Sequence, residues 1–252
     1  MADKKSNYGR RWGGAPWWGW ASIVAGTVAA TATLVVYAVS PPANGPATAT
    51  SAGPVTTISV TRPDDRPLRV YFAGDSITYG LYATEQRLGY RQLMSDEFEA
   101  AGPTEVIVAD KAFAGAATVA NIANVPDSVD LAIIELGTND VGGRTPIDEF
   151  RKTYAGLLDT VRSTSPNAEL VCVGTWGSDG GGFGSDPYNE VIEKECTDRD
   201  GLFVTMYDLF PREELRGPAG RKVFGGTSDD FHPNDAGYRA IADKLMGRID
   251  IN

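Results

Sequence analysis

The 252-residue chain carries 23 Lys+Arg against 33 Asp+Glu, a formal net charge of −10. Residues 68–252 hold 17 of those bases and 30 of those acids, a balance of −13 (17 − 30). A domain this acidic lacks the positive field that phosphates need, which excludes nucleic acid as a partner and favours neutral substrates. One histidine and two cysteines without a C-x-x-C spacing provide no protein metal site, and no cofactor is expected.

Residues 1–16 hold Lys4, Lys5, Arg10 and Arg11 against Asp3 alone. Trp17 to Val39 then reads WWGWASIVAGTVAATATLVVYAV, without a charge. At the rise of an α-helix this stretch is long enough to cross a hydrocarbon core of about 30 Å. Trp17, Trp18 and Trp20 stand at one end and Tyr37 near the other, where interfacial aromatics belong. The positive-inside rule makes 1–16 a short cytoplasmic segment, 17–39 a single-pass transmembrane anchor, and everything after it extracytoplasmic. The competing reading is a cleaved signal peptide. Its apolar region would normally be shorter, about 7–15 residues, and Pro41 and Pro42 crowd the exit. Residues 40–67 are rich in Pro, Ala and Thr without a hydrophobic period, and read as a linker.

From Leu68 to the end, apolar runs alternate with helical patterns. Strands are predicted at 68–73 (LRVYFA), 105–109 (EVIVA), 129–136 (VDLAIIEL), 169–174 (ELVCVG) and 202–207 (LFVTMY). Helices are predicted at 89–101, at 145–165 with Thr145 as cap and Pro146 opening it, at 187–200, and at 233–249 with Asn234 or Asp235 near its start. This alternation predicts an α/β domain whose parallel sheet is covered on both faces, with ligands bound beyond the carboxyl ends of the strands. Cys172 falls in the fourth strand and Cys196 late in the following helix, which returns toward the start of that strand. A disulfide and two small buried thiols both fit.

The polar clusters follow the strands. Gly74-Asp75-Ser76-Ile77-Thr78 comes after the first, and a serine on such a turn is either an exposed nucleophile or a helix cap. Gly115 comes after the second, where a glycine N–H can approach a ligand closely or simply make a turn. Gly137-Thr138-Asn139-Asp140 comes after the third, and its asparagine amide suits either an oxyanion or an Asx-turn. Asp229-Asp230-Phe231-His232 precedes the last helix. A carboxylate on one ring nitrogen would fix the tautomer and leave the other as a base. Trp176 and Phe183, in or near the Gly-rich loop after the fourth strand, are candidates for substrate contact or for packing.

The order Ser, Gly, Asn, His over one α/β sheet resembles the SGNH-hydrolase family of GDSL esterases and lipases. GDSITYG (74–80), Gly115, GTND (137–140) and the D-x-x-H of Asp229 to His232 match its blocks, although Ala112 and Ala117 stand where polar residues are frequent. The resemblance covers 68 to about 249. It implies a flavodoxin-like three-layer sandwich with a five-stranded sheet of order 2-1-3-4-5. It also implies a carboxylic ester hydrolase with a catalytic triad of Ser76, His232 and Asp229, where Asp229 is preferred to Asp230 on the family spacing. The oxyanion hole would comprise Ser76, Gly115 and Asn139. The α/β-hydrolase fold is disfavoured because G-x-S-x-G fails at Thr78, and the dinucleotide fold because no G-x-G-x-x-G follows the first strand. The expected function is a membrane-anchored extracytoplasmic serine esterase acting on a neutral ester, such as an acylated envelope glycan or glycolipid. An acyltransferase, a thioesterase or a lysophospholipase could use the same residues. A non-catalytic envelope-binding module would not need all of them.

Overall fold

The structure is a computed structural model and describes residues 55–109, 118–122, 124–177 and 184–252. The predicted anchor 17–39, Gly115 and Phe183 lie outside the described residues. Among the described residues, no helix is long and apolar enough to cross a membrane.

Strands β1 (Ile58–Val60), β2 (Leu68–Gly74), β3 (Thr104–Val108), β4 (Leu131–Glu135), β5 (Glu169–Val173) and β6 (Leu202–Val204) alternate with helices α1 (Ser76–Tyr79), α2 (Tyr90–Ala100), α3 (Thr138–Gly143), α4 (Ile147–Thr164) and α5 (Asp186–Thr197). The short hairpin β7 (Lys222–Val223) and β8 (Gly226–Thr227), helix α6 (Asp235–Met246) and strand β9 (Ile249–Ile251) complete the chain. The five-stranded sheet has the order β3-β2-β4-β5-β6 and every pairing in it is parallel. In sequence order of its own strands this is the expected 2-1-3-4-5.

Period-two patterning divides the core into two layers. Val70, Phe72, Leu131, Ile133 and Val171 face α2 and α6, where Met94, Phe98 and Ile241 meet them. Tyr71, Ala132, Ile134 and Leu170 face α4 and α5, where Tyr154, Leu158 and Ile192 meet them. β4 is buried along its whole length, as a central parallel strand must be. Cys172 and Cys196 form a disulfide that joins β5 to α5, with their Cα atoms 6.1 Å apart.

Two sequence expectations need correction. The linker does not extend to residue 67: Ile58–Val60 forms β1 and pairs in parallel with Ile249–Ile251 of β9. Ile58 and Val60 are buried while Ser59 is exposed, so three residues of alternation sufficed to draw the segment into the domain. Thr145 does not cap α4. Pro146 holds the cap position, and the Thr145 hydroxyl instead donates to Asp140 Oδ1 at 2.9 Å. Asn234 caps α6, accepting from the Gly237 N–H at 3.1 Å.

The chain leaves β2 for β3 on one side, then crosses back to β4 on the other. This reversal creates a crevice at the carboxyl ends of β2 and β4, where α/β sheets bind ligands.

Candidate active site

β2 ends at Gly74 and α1 begins at Ser76, so the serine stands at that crevice. A Cβ on Gly74 would overlap Thr78 Oγ1 and approach the Glu135 carbonyl to 2.9 Å, so only glycine permits this turn. Asp75 caps α1, accepting from the Ile77 N–H at 3.0 Å. Ser76 is 4% exposed.

The second part of the site comes from the loop before α6. Ser76 Oγ lies 3.0 Å from His232 Nε2, and His232 Nδ1 lies 2.8 Å from Asp229 Oδ2. Asp229 Oδ1 also accepts the backbone N–H groups of Phe231 (3.0 Å) and His232 (2.8 Å). Burial works against the charged form of Asp229, but the backbone and ring hydrogen bonds of His232 outweigh it and hold the carboxyl below its usual range. An ionised acceptor on Nδ1 assigns the proton to that nitrogen and leaves Nε2 to accept from the serine. Asp230 faces elsewhere: its Oδ1 accepts from the Ala219 N–H at 2.8 Å.

Aromatic rings hold the histidine. Tyr82 packs edge-on against it with ring centroids 4.9 Å apart, and Phe231 does so at 5.3 Å. Tyr82 has a φ of 68°, a left-handed backbone uncommon for a bulky residue, fixed by its N–H bond to the Phe224 carbonyl beside the β7–β8 hairpin. A groove of 240 Å³ opens from Tyr82 toward Val223 and Ala236. A 550 Å³ groove between α5, β6 and α6 contains none of these residues.

Asn139 follows β4 in the first turn of α3, and its Nδ2 donates to Asp75 Oδ2 at 3.3 Å. Gly137 caps that helix with a φ of 120°. Asp140 accepts from the Val119 N–H at 3.2 Å and so ties the turn Val119–Asn121 to α3. Of the two readings open for Trp176, the structure shows packing. It is 2% exposed, packs edge-on against Phe210 and donates its indole N–H to the Phe231 carbonyl at 2.8 Å. Its role in the structure is to brace the loop that presents His232, and its ring does not line the surface.

Sequence reasoning missed Tyr82, Tyr90 and Glu135. Only Glu135 left a signal: it is an acid inside the apolar run LAIIE.

The GDSL-like Lipase/Acylhydrolase family matches residues 72–240, well over half of the chain. The chain belongs to this family. Its fold is that of solved esterases and lipases. It is similar to a two-domain esterase active on acetylated mannans (21% identity, TM-score 0.55, 72% of this chain and 48% of that one). It also resembles an acetyl-xylooligosaccharide esterase from Geobacillus Stearmophilus (19%, TM-score 0.53, 73% and 94%). A third likeness is to the psychrotrophic esterase EstA from Pseudoalteromonas sp. (17%, TM-score 0.52, 72% and 96%). The GDSL chain thus spans about half the length of the mannan esterase. No curated protein matches it in sequence.

Proposed function

We propose that this GDSL hydrolase is an extracytoplasmic serine esterase, tethered to the membrane by residues 17–39, that removes acyl groups from a neutral envelope glycan or glycolipid. The observation that carries the chemistry is the relay from Ser76 Oγ through His232 (3.0 Å) to Asp229 (2.8 Å). His232 takes the serine proton as Oγ attacks the ester carbonyl, and Asp229 stabilises the imidazolium that forms. The Ser76 and Gly115 N–H groups and the Asn139 amide hold the oxyanion. The imidazolium returns its proton to the leaving alcohol. Water, activated by the same histidine, then attacks the acyl-enzyme and releases the acid.

Three observations support the location and substrate class. The apolar stretch 17–39 carries its basic residues on one side only. The disulfide between Cys172 and Cys196 fits an oxidising compartment. The domain's acidity suits an uncharged substrate, and two of its structural neighbours are esterases for acetylated mannans and acetyl-xylooligosaccharides.

The test is a panel of p-nitrophenyl esters and acetylated oligosaccharides, run on the full chain and on Ser76→Ala. The expected result is activity on short acyl chains and release of acetate from the saccharides, both lost in a folded Ser76→Ala. Equal turnover by the variant would refute the nucleophile. A preference for long acyl chains would refute the glycan reading.

A further inference from the structure

Behind the serine lies a second set of acids that the relay does not use. The register of the sheet pairs Gly74 with Glu135, so Asp75 and Glu135 meet where β2 and β4 end. Both are buried, and Asp75 is hydrogen-bonded to Glu135. Among the described residues, no Lys, Arg or His forms an ion pair with either. Two touching carboxylates in a dry site cannot both ionise.

Hydrogen-bond donors surround the pair. Thr78 Oγ1 donates to Glu135 Oε2 at 2.9 Å. A hydroxyl has one proton, so its 2.6 Å contact with Tyr90 must be an O–H donated by the tyrosine. Asp75 meanwhile accepts from the Ile77 N–H at 3.0 Å and from Asn139 Nδ2 at 3.3 Å. Glu135 also accepts the Asp75 N–H, so each carboxyl takes two donors and the remaining contact, between the two acids, needs one proton. Burial, followed by the charge of Asp75, pushes the Glu135 carboxyl well above its usual range. Burial raises Asp75 to about 7. The other groups facing the pair are Asp140 from α3, Tyr154 from α4, Tyr90 from α2 and Tyr238 from α6, none of them cationic. Arg91 binds the Thr78 carbonyl, and His232 reaches Ser76 from the open side.

Building on the esterase reading above, we propose that Asp75 and Glu135 share one proton and act as positioning residues for the oxyanion hole. The donor chain Tyr90 → Thr78 → Glu135 → Asp75 runs in one direction. It ends on the carboxylate that receives one N–H of Asn139, so the amide plane has a single setting and its other N–H a single direction. The same carboxylate caps α1 and fixes the Ser76 backbone. Neither acid touches substrate.

The test compares the full chain with Glu135→Gln and Glu135→Met. Glutamine can still donate to Asp75 and accept from Thr78; methionine can do neither. Glu135→Met should lower kcat on p-nitrophenyl acetate about a hundredfold, as small misplacements in a site do, with KM within about twofold. Glu135→Gln should recover most of that loss. The side-chain amide NMR signal of Asn139, identified by its disappearance in Asn139→Ala, should move in Glu135→Met and stay near its wild-type position in Glu135→Gln. Infrared spectra at about pH 8 should show a protonated-carboxyl stretch in the wild type that is missing from Glu135→Gln, whether or not the methionine variant folds. An unmoved Asn139 signal in Glu135→Met, an absent wild-type stretch, or equal damage by Gln and Met would overturn the proposal. If the wild-type chain hydrolysed no ester, the esterase reading would fail on its own, and the amide and infrared signals would still decide the pair.

Discussion

Asp229 and Asp75 both lie one step from Ser76, yet their environments drive them in opposite directions. The side chain of Asp229 is 44% exposed and takes hydrogen bonds from two backbone N–H groups and the His232 ring. These bonds hold it ionised below the usual carboxylate range. Asp75 has no solvent and a second acid against it, and burial lifts it to about 7. The residue type is the same; hydration and the count of donors differ. One acid is suited to stabilising a transient positive charge, the other to sharing a proton inside a rigid scaffold.

The largest effect should come from the exposed acid. In Asp229→Asn the amide would donate to Nδ1, leaving a proton on Nε2 that faces Ser76. The expected loss of kcat is about 10⁴-fold, the size seen when a triad holds the wrong tautomer. Asp230→Asn should stay within about twofold, because Asp230 bonds to Ala219. Steady-state kinetics of the two variants check this, and a larger loss at position 230 would contradict the assignment of Asp229.

Asn139 links the two acids' functions, since it receives its orientation from Asp75 and is proposed to donate to the oxyanion. Asn139→Ala should lower kcat about 10²- to 10³-fold with little change in KM. A loss expressed mainly in KM would mean that the amide holds ground-state substrate.

The smallest effect is on stability, and its sign separates the two acids. Asp75 and Glu135 titrate above their ordinary values in the folded chain, so the folded state binds more protons than the unfolded state at intermediate pH. Their stabilisation is complete below about pH 4 and declines as pH rises through 7. Asp229 is lowered, so its contribution is present above about pH 4 and lost only as pH falls below that value. Thermal unfolding between about pH 5 and 8 should therefore show a falling midpoint, with a shallower fall in Glu135→Gln. Parallel slopes would mean that Glu135 ionises normally in the folded protein.

Much of this site was legible in the sequence because its parts are local. A glycine followed by polar residues after an apolar run marks Ser76 and Asn139, and D-x-x-H puts Asp229 and His232 on one loop. The buried pair was not legible. Glu135 reads as an interruption of an apolar strand until the pairing of Gly74 with Glu135 brings Asp75 beside it. β1 was hidden for a similar reason, since three residues show no period until Ile249–Ile251 lies alongside. Trp176 was open between substrate contact and packing for the same reason. An aromatic after a strand suggests a ligand, and only the Phe231 carbonyl, far along the chain, reveals it as a brace. The fate of Cys172 and Cys196 was likewise a question of distance between distant residues, and the fold brings their Cα atoms to 6.1 Å.

The most direct test of the central claim is covalent labelling of the full chain with a fluorophosphonate, followed by peptide mass spectrometry. One adduct is expected, on Ser76, formed quickly in the wild type, slowed severely in His232→Ala and absent from Ser76→Ala. An adduct on another residue, or none on a folded wild-type chain, would contradict it.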